Sequence, residues 1–185
     1  VVEEVMIKFN KEIVLAIEKK MCKANSITIK ENIAIYVIQK SKELGFVGTP
    51  SKIDTGLIKK LIKDDFIPVV TPMGLDERKQ VYNINADVAA GALATNLKSR
   101  RLLLMTDVEG VYDKNKKLIS EIKSADAEKL IYDQTIHGGM IPKIRTCINA
   151  VNSNVRGVVI IDGRKPHSIL FELFSDQGAG TLIRK

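Results

Sequence analysis

Tryptophan is absent from this sequence, and cysteine and aromatic residues are scarce. Only 5% of the 185 residues are Phe, Trp or Tyr, which leaves few side chains for stacking on nucleic-acid bases. The two cysteines, Cys22 and Cys147, form no CxxC pair and have no histidine cluster nearby, so the sequence predicts neither a disulfide framework nor a zinc site. These absences favour a reducing, cytoplasmic setting and no metal site.

Long apolar runs are missing as well. The apolar runs of the chain, such as residues 33–38 and 158–161, are far shorter than the roughly 18 residues of a membrane span. The chain opens with the acidic Val1-Val2-Glu3-Glu4 and lacks the basic region and apolar block of a signal peptide. We therefore expect no contact with a membrane. Because the chain starts without Met, we interpret residues before Val1 as missing.

Basic charge is present but dispersed. The net charge of +7 invites a nucleic-acid interpretation, yet pairs such as Lys59-Lys60 and Arg100-Arg101 stand among acidic neighbours and form no single stripe. We expect no nucleic-acid partner and a surface that attracts small anions. The 45% hydrophobic and 28% charged content is typical of a globular protein, and a chain of this length buries a core without disulfides.

The first part of the chain predicts one amphipathic helix and then short elements. Apolar residues recur at spacings of three and four up to about Lys20, which predicts a helical stripe that packs on a sheet. The stripe comprises Val5, Met6, Phe9, Ile13, Ala16 and Ile17. Residues 26–30 and 33–38 predict a pair of strands. A second helix is expected from Ser51 or Asp54 to Lys63, followed by a strand over 66–71.

From residue 82 onward, strands alternate with helices. The pattern predicts helices at 86–97, 125–132, 142–151 and 166–174 and strands at 102–106, 158–161 and 181–183. Such alternation predicts an α/β fold whose mainly parallel sheet is covered on both faces. In these sheets ligands bind at the carboxyl ends of the strands, so functional residues are expected directly after the strands.

The motif Asn83-Ile84-Asn85-Ala86-Asp87 lies where an extended segment meets the Ala-rich helix. Its two amides and one carboxylate could hold a polar substrate and orient a cation. Helix capping is the alternative, because Asn85 is a good N-cap residue and Asp87 suits the positive end of the helix dipole. Taken alone, the motif favours capping.

The motif Thr106-Asp107-Val108-Glu109-Gly110-Val111 leaves a strand with a polar pair and a turn glycine. This pattern suits ribose or phosphate binding, although it is unspecific by itself. Residues 113–115 after it predict a hairpin turn.

The motif Gly138-Gly139-Met140-Ile141-Pro142-Lys143 begins a helix. Free amides, the helix dipole and the Lys143 ammonium could face an anion there. A plain loop-to-helix junction with a solvated lysine is the alternative. The spacing is not that of a P-loop.

Together and in this order, these motifs resemble the acetylglutamate kinases of the amino acid kinase family. The resemblance runs from Phe9-Asn10-Lys11-Glu12 through Leu44-Gly45-Phe46-Val47-Gly48 and Ile161-Asp162-Gly163-Arg164 to Gly178-Ala179-Gly180-Thr181. It implies a three-layer αβα sandwich of carbamate kinase-like fold, incomplete at its N-terminus. Residues 1–75 would be the remainder of an acetylglutamate-binding and dimerisation domain, and residues 76–185 an ATP-binding domain.

The resemblance also implies an activity, the ATP-dependent phosphorylation of the side-chain carboxylate of N-acetyl-L-glutamate in arginine biosynthesis, with Mg²⁺ carried by ATP. Lys143 would be the transition-state lysine, Asp87 would organise the catalytic lysines, and Asn83 and Asn85 would bind acetylglutamate. Fixed positive charge suits the charge-dispersed transition state of phosphoryl transfer. The implied ATP-site residues are Thr106, Asp107, Val108, Glu109, Gly110, Val111, Tyr112, Thr135, Ile136, His137, Gly139 and Met140.

Parts of the family pattern are missing. No Lys-x-Gly-Gly occurs, and residues 25–32 lack the glycines of the corresponding family turn, so the chain could be inactive by itself. The alternative is a non-catalytic remnant that binds ATP or L-arginine, since His167, Glu172 and Gly180 resemble the arginine-feedback site of the family. The motif at 83–87 disfavours a uridylate or aspartate kinase. The family also implies a homo-oligomer, a dimer or higher.

Overall fold

The computed structural model describes all residues from Val1 to Lys185, which form two compact units. Unit 1 comprises Val1–Leu97, and unit 2 comprises Lys98–Lys185. Each unit combines helices with sheets of its own. These units are defined by packing alone. The predicted division after residue 75 concerns which residues bind which substrate, and it stays a prediction.

Unit 1 contains three helices and six strands. The helices are α1 (Val2–Glu18), α2 (Gly56–Lys63) and α3 (Ala86–Asn96), and the strands are β1 (Ala24–Ile27), β2 (Ile35–Gln39), β3 (Gly48–Ile53), β4 (Ile67–Val70), β5 (Met73–Leu75) and β6 (Val81–Asn83). Strands β1 and β4 form a parallel pair, and the second sheet has the order β3-β2-β5-β6. A buried cluster that includes Ile27, Ile35, Ile58 and Tyr82 forms the core.

Helix α1 packs against β1 and β4, but through a stripe that differs from the predicted one. Val5 and Phe9 are exposed, whereas Asn10 is buried. The Asn10 side-chain amide donates to the carbonyl oxygen of Val69 at 2.8 Å and accepts from the hydroxyl of Ser26 at 2.7 Å. A polar residue therefore occupies the buried face of the helix, which an analysis of apolar spacing alone does not reveal.

The strands near the start of unit 1 pair differently from the prediction. The sequence predicts that β1 and β2 pair with each other, but β1 pairs with β4, and β2 lies between β3 and β5. Helix α2 begins at Gly56, because Ser51 belongs to β3 and the Asp54 carboxylate accepts the Gly56 amide at 2.9 Å. The alternative start near Ser51 is wrong for this reason, whereas the start near Asp54 lies two residues from the observed one.

Thr28, directly after β1, is 2% exposed, yet its hydroxyl has no hydrogen-bond partner. An unpaired buried polar group costs about 1–3 kcal/mol. We therefore expect Thr28→Val to raise the free energy of unfolding by about 1 kcal/mol, as measured by urea denaturation. Thr71 is the matched control, because it is equally buried but donates to the carbonyl oxygen of Ile27 at 3.3 Å. Thr71→Val should be destabilising, and a similar loss in both variants would contradict this interpretation.

Unit 2 contains three helices and six strands. The strands are β7 (Leu102–Thr106), β8 (Val111–Tyr112), β9 (Leu118–Ile119), β10 (Glu121–Lys123), β11 (Val158–Asp162) and β12 (Gly180–Arg184), and the helices are α4 (Ser124–Tyr132), α5 (Met140–Asn152) and α6 (Ser168–Phe174). The main sheet has the order β10-β12-β11-β7, in which only the β11–β12 pairing is antiparallel. Strands β8 and β9 form a hairpin. None of the helices of the structure is long and apolar enough to cross a membrane.

The elements predicted for residues 86–183 all exist, with bounds that differ from the prediction by at most two residues. Every residue of β11 is buried, as expected for a strand inside a sheet covered by helices. The mixed pairing arises from β12, which lies between β10 and β11 and runs antiparallel to β11. The hairpin turn predicted at residues 113–115 is confirmed, since it joins β8 to β9, whereas the bounds of the very short strands β8, β9 and β10 were not predicted.

Strand β12 also ties the hairpin to the sheet. Thr181 is fully buried, and its hydroxyl donates to the carbonyl oxygen of Ile119 at 2.6 Å while it accepts the amide of Val111 at 2.8 Å. Gly180, the residue before it, lies so close to β11 that a Cβ atom would overlap the carbonyl group of Ile160. These contacts place the hairpin beside the end of β11.

Candidate functional site

The carboxyl ends of β7 and β11 lie side by side in unit 2. The two strands are parallel neighbours, and Thr106 pairs with Asp162 across them. The amide of Gly163 donates to the carbonyl oxygen of Thr106 at 2.8 Å. Asp107 follows one strand and Arg164 the other, and their charges interact. Adjacent strand ends of this kind are where α/β sheets bind ligands.

Asp162 is a buried carboxylate that fixes the orientation of Arg164. Its side chain is 5% exposed, whereas that of Arg164 is 68% exposed. One carboxylate oxygen accepts the Arg164 amide at 2.9 Å and Nε at 3.0 Å, and the other accepts Nη2 at 2.9 Å. These bonds from Arg164 lower the pKa of Asp162 to about 2. The result is an oriented positive charge at the strand ends.

Glu109 joins the loop after β7 to the loop after β11. Its carboxylate pairs with Lys165 and accepts the hydroxyl of Tyr112 at 3.0 Å. The hydrogen bond from Lys165 lowers the pKa of Glu109 most, and the hydrogen bond from Tyr112 lowers it further. The bond between Tyr112 and Glu109 also raises the pKa of Tyr112. Both oxygens of Glu109 are therefore used within the protein. Asp107 is exposed and accepts only the Thr106 hydroxyl, at 3.2 Å, which leaves its second oxygen open.

The amino end of α5 lies at the same end of the sheet. Helix α5 packs against β11 and β12 and leads into β11 through a short connection, so the helix begins where β11 ends. Gly138 has φ +58°, and nothing lies within 4 Å of a Cβ at Gly138 or Gly139. No side chain caps the helix, but the amides of Met140 and Ile141 already donate to the carbonyl oxygens of His137 and Gly138 at 3.3 and 3.2 Å, and Pro142 has no amide hydrogen. The first helical residues therefore lack the free amides that the sequence predicts. The positive end of the helix dipole still favours an anion, and Lys143 lies one turn along, half-buried.

The segment Thr135-Ile136-His137 leads into α5. Ile136 is buried, and its amide donates to the carbonyl oxygen of Leu130 at 2.8 Å. The hydroxyl and the amide of Thr135 donate to one oxygen of Asp133 at 2.6 and 3.0 Å. These bonds and an ion pair with Lys114 lower the pKa of Asp133 to about 2. The structure thus brings the second group of predicted ATP-site residues to the start of α5.

Asn83, Asn85 and Asp87 belong to unit 1. Asn83 ends β6 with an exposed side chain. The Asn85 side chain accepts the amide of Val88 at 3.2 Å and caps α3, as the capping alternative predicts. Asp87 lies half-buried in the first turn of α3. The motif therefore caps a helix and still presents one exposed amide to a ligand.

The three residues of the predicted effector site are only partly brought together. Glu172 and Gly180 line a cavity of about 230 Å³, but His167 does not. Glu172 is 9% exposed, and its two oxygens contact Nη1 of Arg101 at 3.4 Å and the amide of Ala179 at 2.9 Å. The Glu172 carboxylate is therefore already paired with the guanidinium group of Arg101.

Four charged residues at these loops are absent from the predicted site: Lys114, Asp133, Arg164 and Lys165. Arg164 and Lys165 could have been identified from the sequence because they lie directly after the strand β11, and loops at strand ends often contain functional residues. Lys114 and Asp133 gave no such signal, because they meet only through the tertiary fold.

Acid is expected to destabilise unit 2 through Asp133 and Asp162. The pKa of both carboxyls is about 2 in the folded protein, below the ordinary value of 3.8. The unfolded chain therefore takes up protons first, so stability is present above pH 4 and is lost as the pH falls towards 2. Urea midpoints measured from pH 5 to pH 2.5 should fall. Asp162→Asn should flatten this dependence, and an unchanged slope in the variant would contradict the assignment.

The fold and the polar strand ends define an α/β protein with a candidate ligand-binding edge at the carboxyl ends of its strands. The chain belongs to the amino acid kinase family, whose model matches residues 1–162. Over all 185 residues it is 54% identical to the acetylglutamate kinase of Pelagibacter ubique (strain HTCC1062). The chain spans 64% of the length of that relative and about half the length of others that it matches.

Two solved structures share the fold. The crystal structure of smu.665 from Streptococcus mutans UA159 superposes with a TM-score of 0.80 at 26% identity, over 94% of this chain and 66% of that one. The carbamate kinase of Giardia superposes with a TM-score of 0.70 at 21% identity, over 100% of this chain and 70% of that one. The predicted family and its carbamate kinase-like α/β fold are thereby confirmed.

Proposed function

We propose that this chain is part of an acetylglutamate kinase, which phosphorylates the side-chain carboxylate of N-acetyl-L-glutamate with ATP in arginine biosynthesis in the cytoplasm. The observation that carries the proposal is the 54% identity to a relative of that name along the whole chain. The polar strand ends of unit 2 and the uncapped start of α5 provide chemistry that suits a nucleotide.

Unit 2 is the ATP-binding part in this proposal. The open oxygen of Asp107 suits a ribose hydroxyl, and the positive end of the α5 dipole suits phosphate. Unit 2 contains 15 Lys and Arg but 10 Asp and Glu, an excess of positive charge that attracts a polyanion. No group of three or more His, Cys, Asp or Glu side chains is placed to hold a metal, which suits Mg²⁺ that arrives on the nucleotide phosphates.

The proposed catalytic residues are Lys143 and Asp87. Lys143 would supply fixed positive charge to the phosphoryl group during transfer, when negative charge spreads over its oxygens. Asn83 and Asn85 are proposed to bind acetylglutamate. The capping bond of Asn85 uses its oxygen, so its NH₂ group and the whole amide of Asn83 would serve the substrate.

The test combines ATP binding with turnover. Calorimetry with the chain should show ATP binding, and an acetylglutamate-dependent hydroxamate assay should show turnover once the chain is extended at its amino end with the matching segment of the Pelagibacter relative. Absence of both would overturn the proposal. Equal turnover with and without the extension would show that the acceptor half is dispensable and would overturn the roles assigned above. Sedimentation of the same samples tests the homo-oligomer.

The second candidate function is a non-catalytic remnant that binds ATP or L-arginine. The cavity of about 230 Å³ beside Glu172 supports it. Calorimetry with L-arginine should then give a weaker affinity for Glu172→Ala than for the unsubstituted chain. Equal affinities would exclude Glu172 from an effector site.

A further inference from the structure

We infer that Asp133 is a positioning residue that joins the two segments proposed to line ATP, namely the β8–β9 hairpin and the approach to α5. The inference rests on the proposed function only for the identity of the ligand. Asp133 follows the last residue of α4, between the two segments, and it is absent from the predicted site residues.

Each oxygen of Asp133 serves a different segment. One accepts the hydroxyl and the amide of Thr135, at 2.6 and 3.0 Å. The other pairs with Nζ of Lys114 at 3.0 Å. The side chains of Lys114 and Asp133 are 67% and 39% exposed, so the link is a surface ion pair whose contribution is modest by itself and is supported by the two bonds from Thr135. A single carboxylate therefore links residue 114 with residue 135.

Both segments are stiff at the linked residue. In the hairpin turn, the Asp113 carboxylate accepts the amides of Asn115 and Lys117 at 2.8 and 2.9 Å, so Lys114 stands on a tight turn. On the other side, the buried Ile136 fixes the chain next to Thr135. Tyr112 of the hairpin contacts Glu109, and the approach leads to the start of α5. Loss of the Asp133 link would therefore let the hairpin and the approach to α5 move apart.

A second ion pair of α4 gives a matched control. Nζ of Lys129 lies 2.7 Å from a carboxylate oxygen of Asp126. The two residues are separated by three positions on the same helix, so this ion pair links no other segment. The bond from Lys129 lowers the pKa of Asp126 too. Asp126→Asn thus removes a carboxylate with a similar charged partner while leaving the hairpin and the approach to α5 connected.

The experiment measures ATP affinity of the chain by calorimetry for Asp133→Asn, Lys114→Met, the double variant and Asp126→Asn. We expect Kd to rise about three- to tenfold in each single variant at the link, and the double variant to be no weaker than Asp133→Asn, because both changes break one connection. Asp126→Asn should change Kd less than about twofold. An unchanged Kd for Asp133→Asn, or an equal change in the control, would overturn the inference.

Hydrogen exchange without nucleotide separates the inference from the proposed function. In Asp133→Asn, amides of residues 113–117 and 134–139 should exchange faster, while those of β11 stay protected. Unchanged exchange in both segments would overturn the link. If the unsubstituted chain binds no ATP, the ATP-binding role proposed for unit 2 of this chain fails, and the exchange result alone decides whether Asp133 joins the segments.

Discussion

Lys143→Met is expected to lower the rate of phosphoryl transfer by about 10²–10³-fold in the extended chain. Lys143 stands in the first turn of α5, whose start has no side-chain cap, so its charge adds to that of the helix dipole. A charge fixed before the reaction stabilises the transition state without reorganisation. The hydroxamate assay measures the rate, and calorimetry of the same variant should show a much smaller change in ATP affinity.

The control for Lys143 is Lys129→Met. Lys129 also lies on a helix of unit 2, but it is exposed and pairs with Asp126. Its loss should leave turnover unchanged within about twofold, as for most surface substitutions. Turnover of Lys143→Met within a few-fold of the unsubstituted protein would show that Lys143 is not the transition-state lysine.

Gly180→Ala is expected to destabilise unit 2 by about 3 kcal/mol or more. The new Cβ would overlap the carbonyl oxygen of Ile160 and lie 2.9 Å from its carbonyl carbon. Both atoms are backbone in the buried β11, so relief requires separation of two hydrogen-bonded strands. With total stabilities of about 5–15 kcal/mol for such domains, thermal unfolding should begin at a clearly lower temperature.

Gly139→Ala is the matched control for Gly180. Nothing lies within 4 Å of a Cβ at Gly139, and its φ is −65°, which any residue adopts. The expected change is within about 1 kcal/mol. If the two glycine variants melted alike, close approach of β12 to β11 would not be the reason for glycine at position 180.

The sequence was sufficient to predict the longer helices and strands of unit 2 but not the strand pairing of unit 1. Strands such as β7 and β11 are continuous runs of Leu, Val or Ile, which by themselves indicate buried strands. Strands β5 and β6 have three residues each, too few for a periodicity. The pairing of β1 with β4 joins residues about 40 apart, and no local pattern contains that information.

The candidate site divides in the same way. Thr106, Asp107 and Lys143 were predictable, because the end of a strand and the start of a helix can be read locally. The capping role of Asn85 was predictable as well. The link between Lys114 and Asp133 was not, since it depends on where α4 ends relative to the β8–β9 hairpin. The pairing of Glu172 with Arg101 likewise spans 71 residues.

Strand β12 governs when unit 2 can mature during protein synthesis. It is translated after the other strands of unit 2, yet it lies inside the sheet between β10 and β11. Until it leaves the ribosome, the nascent chain holds two unpaired strand edges that chaperones or other nascent chains can bind. Thr181, whose hydroxyl bonds both strands of the β8–β9 hairpin, belongs to β12 and is therefore translated late as well. The proposed nucleotide site is therefore acquired only after β12 has been translated, when unit 1 has had time to fold.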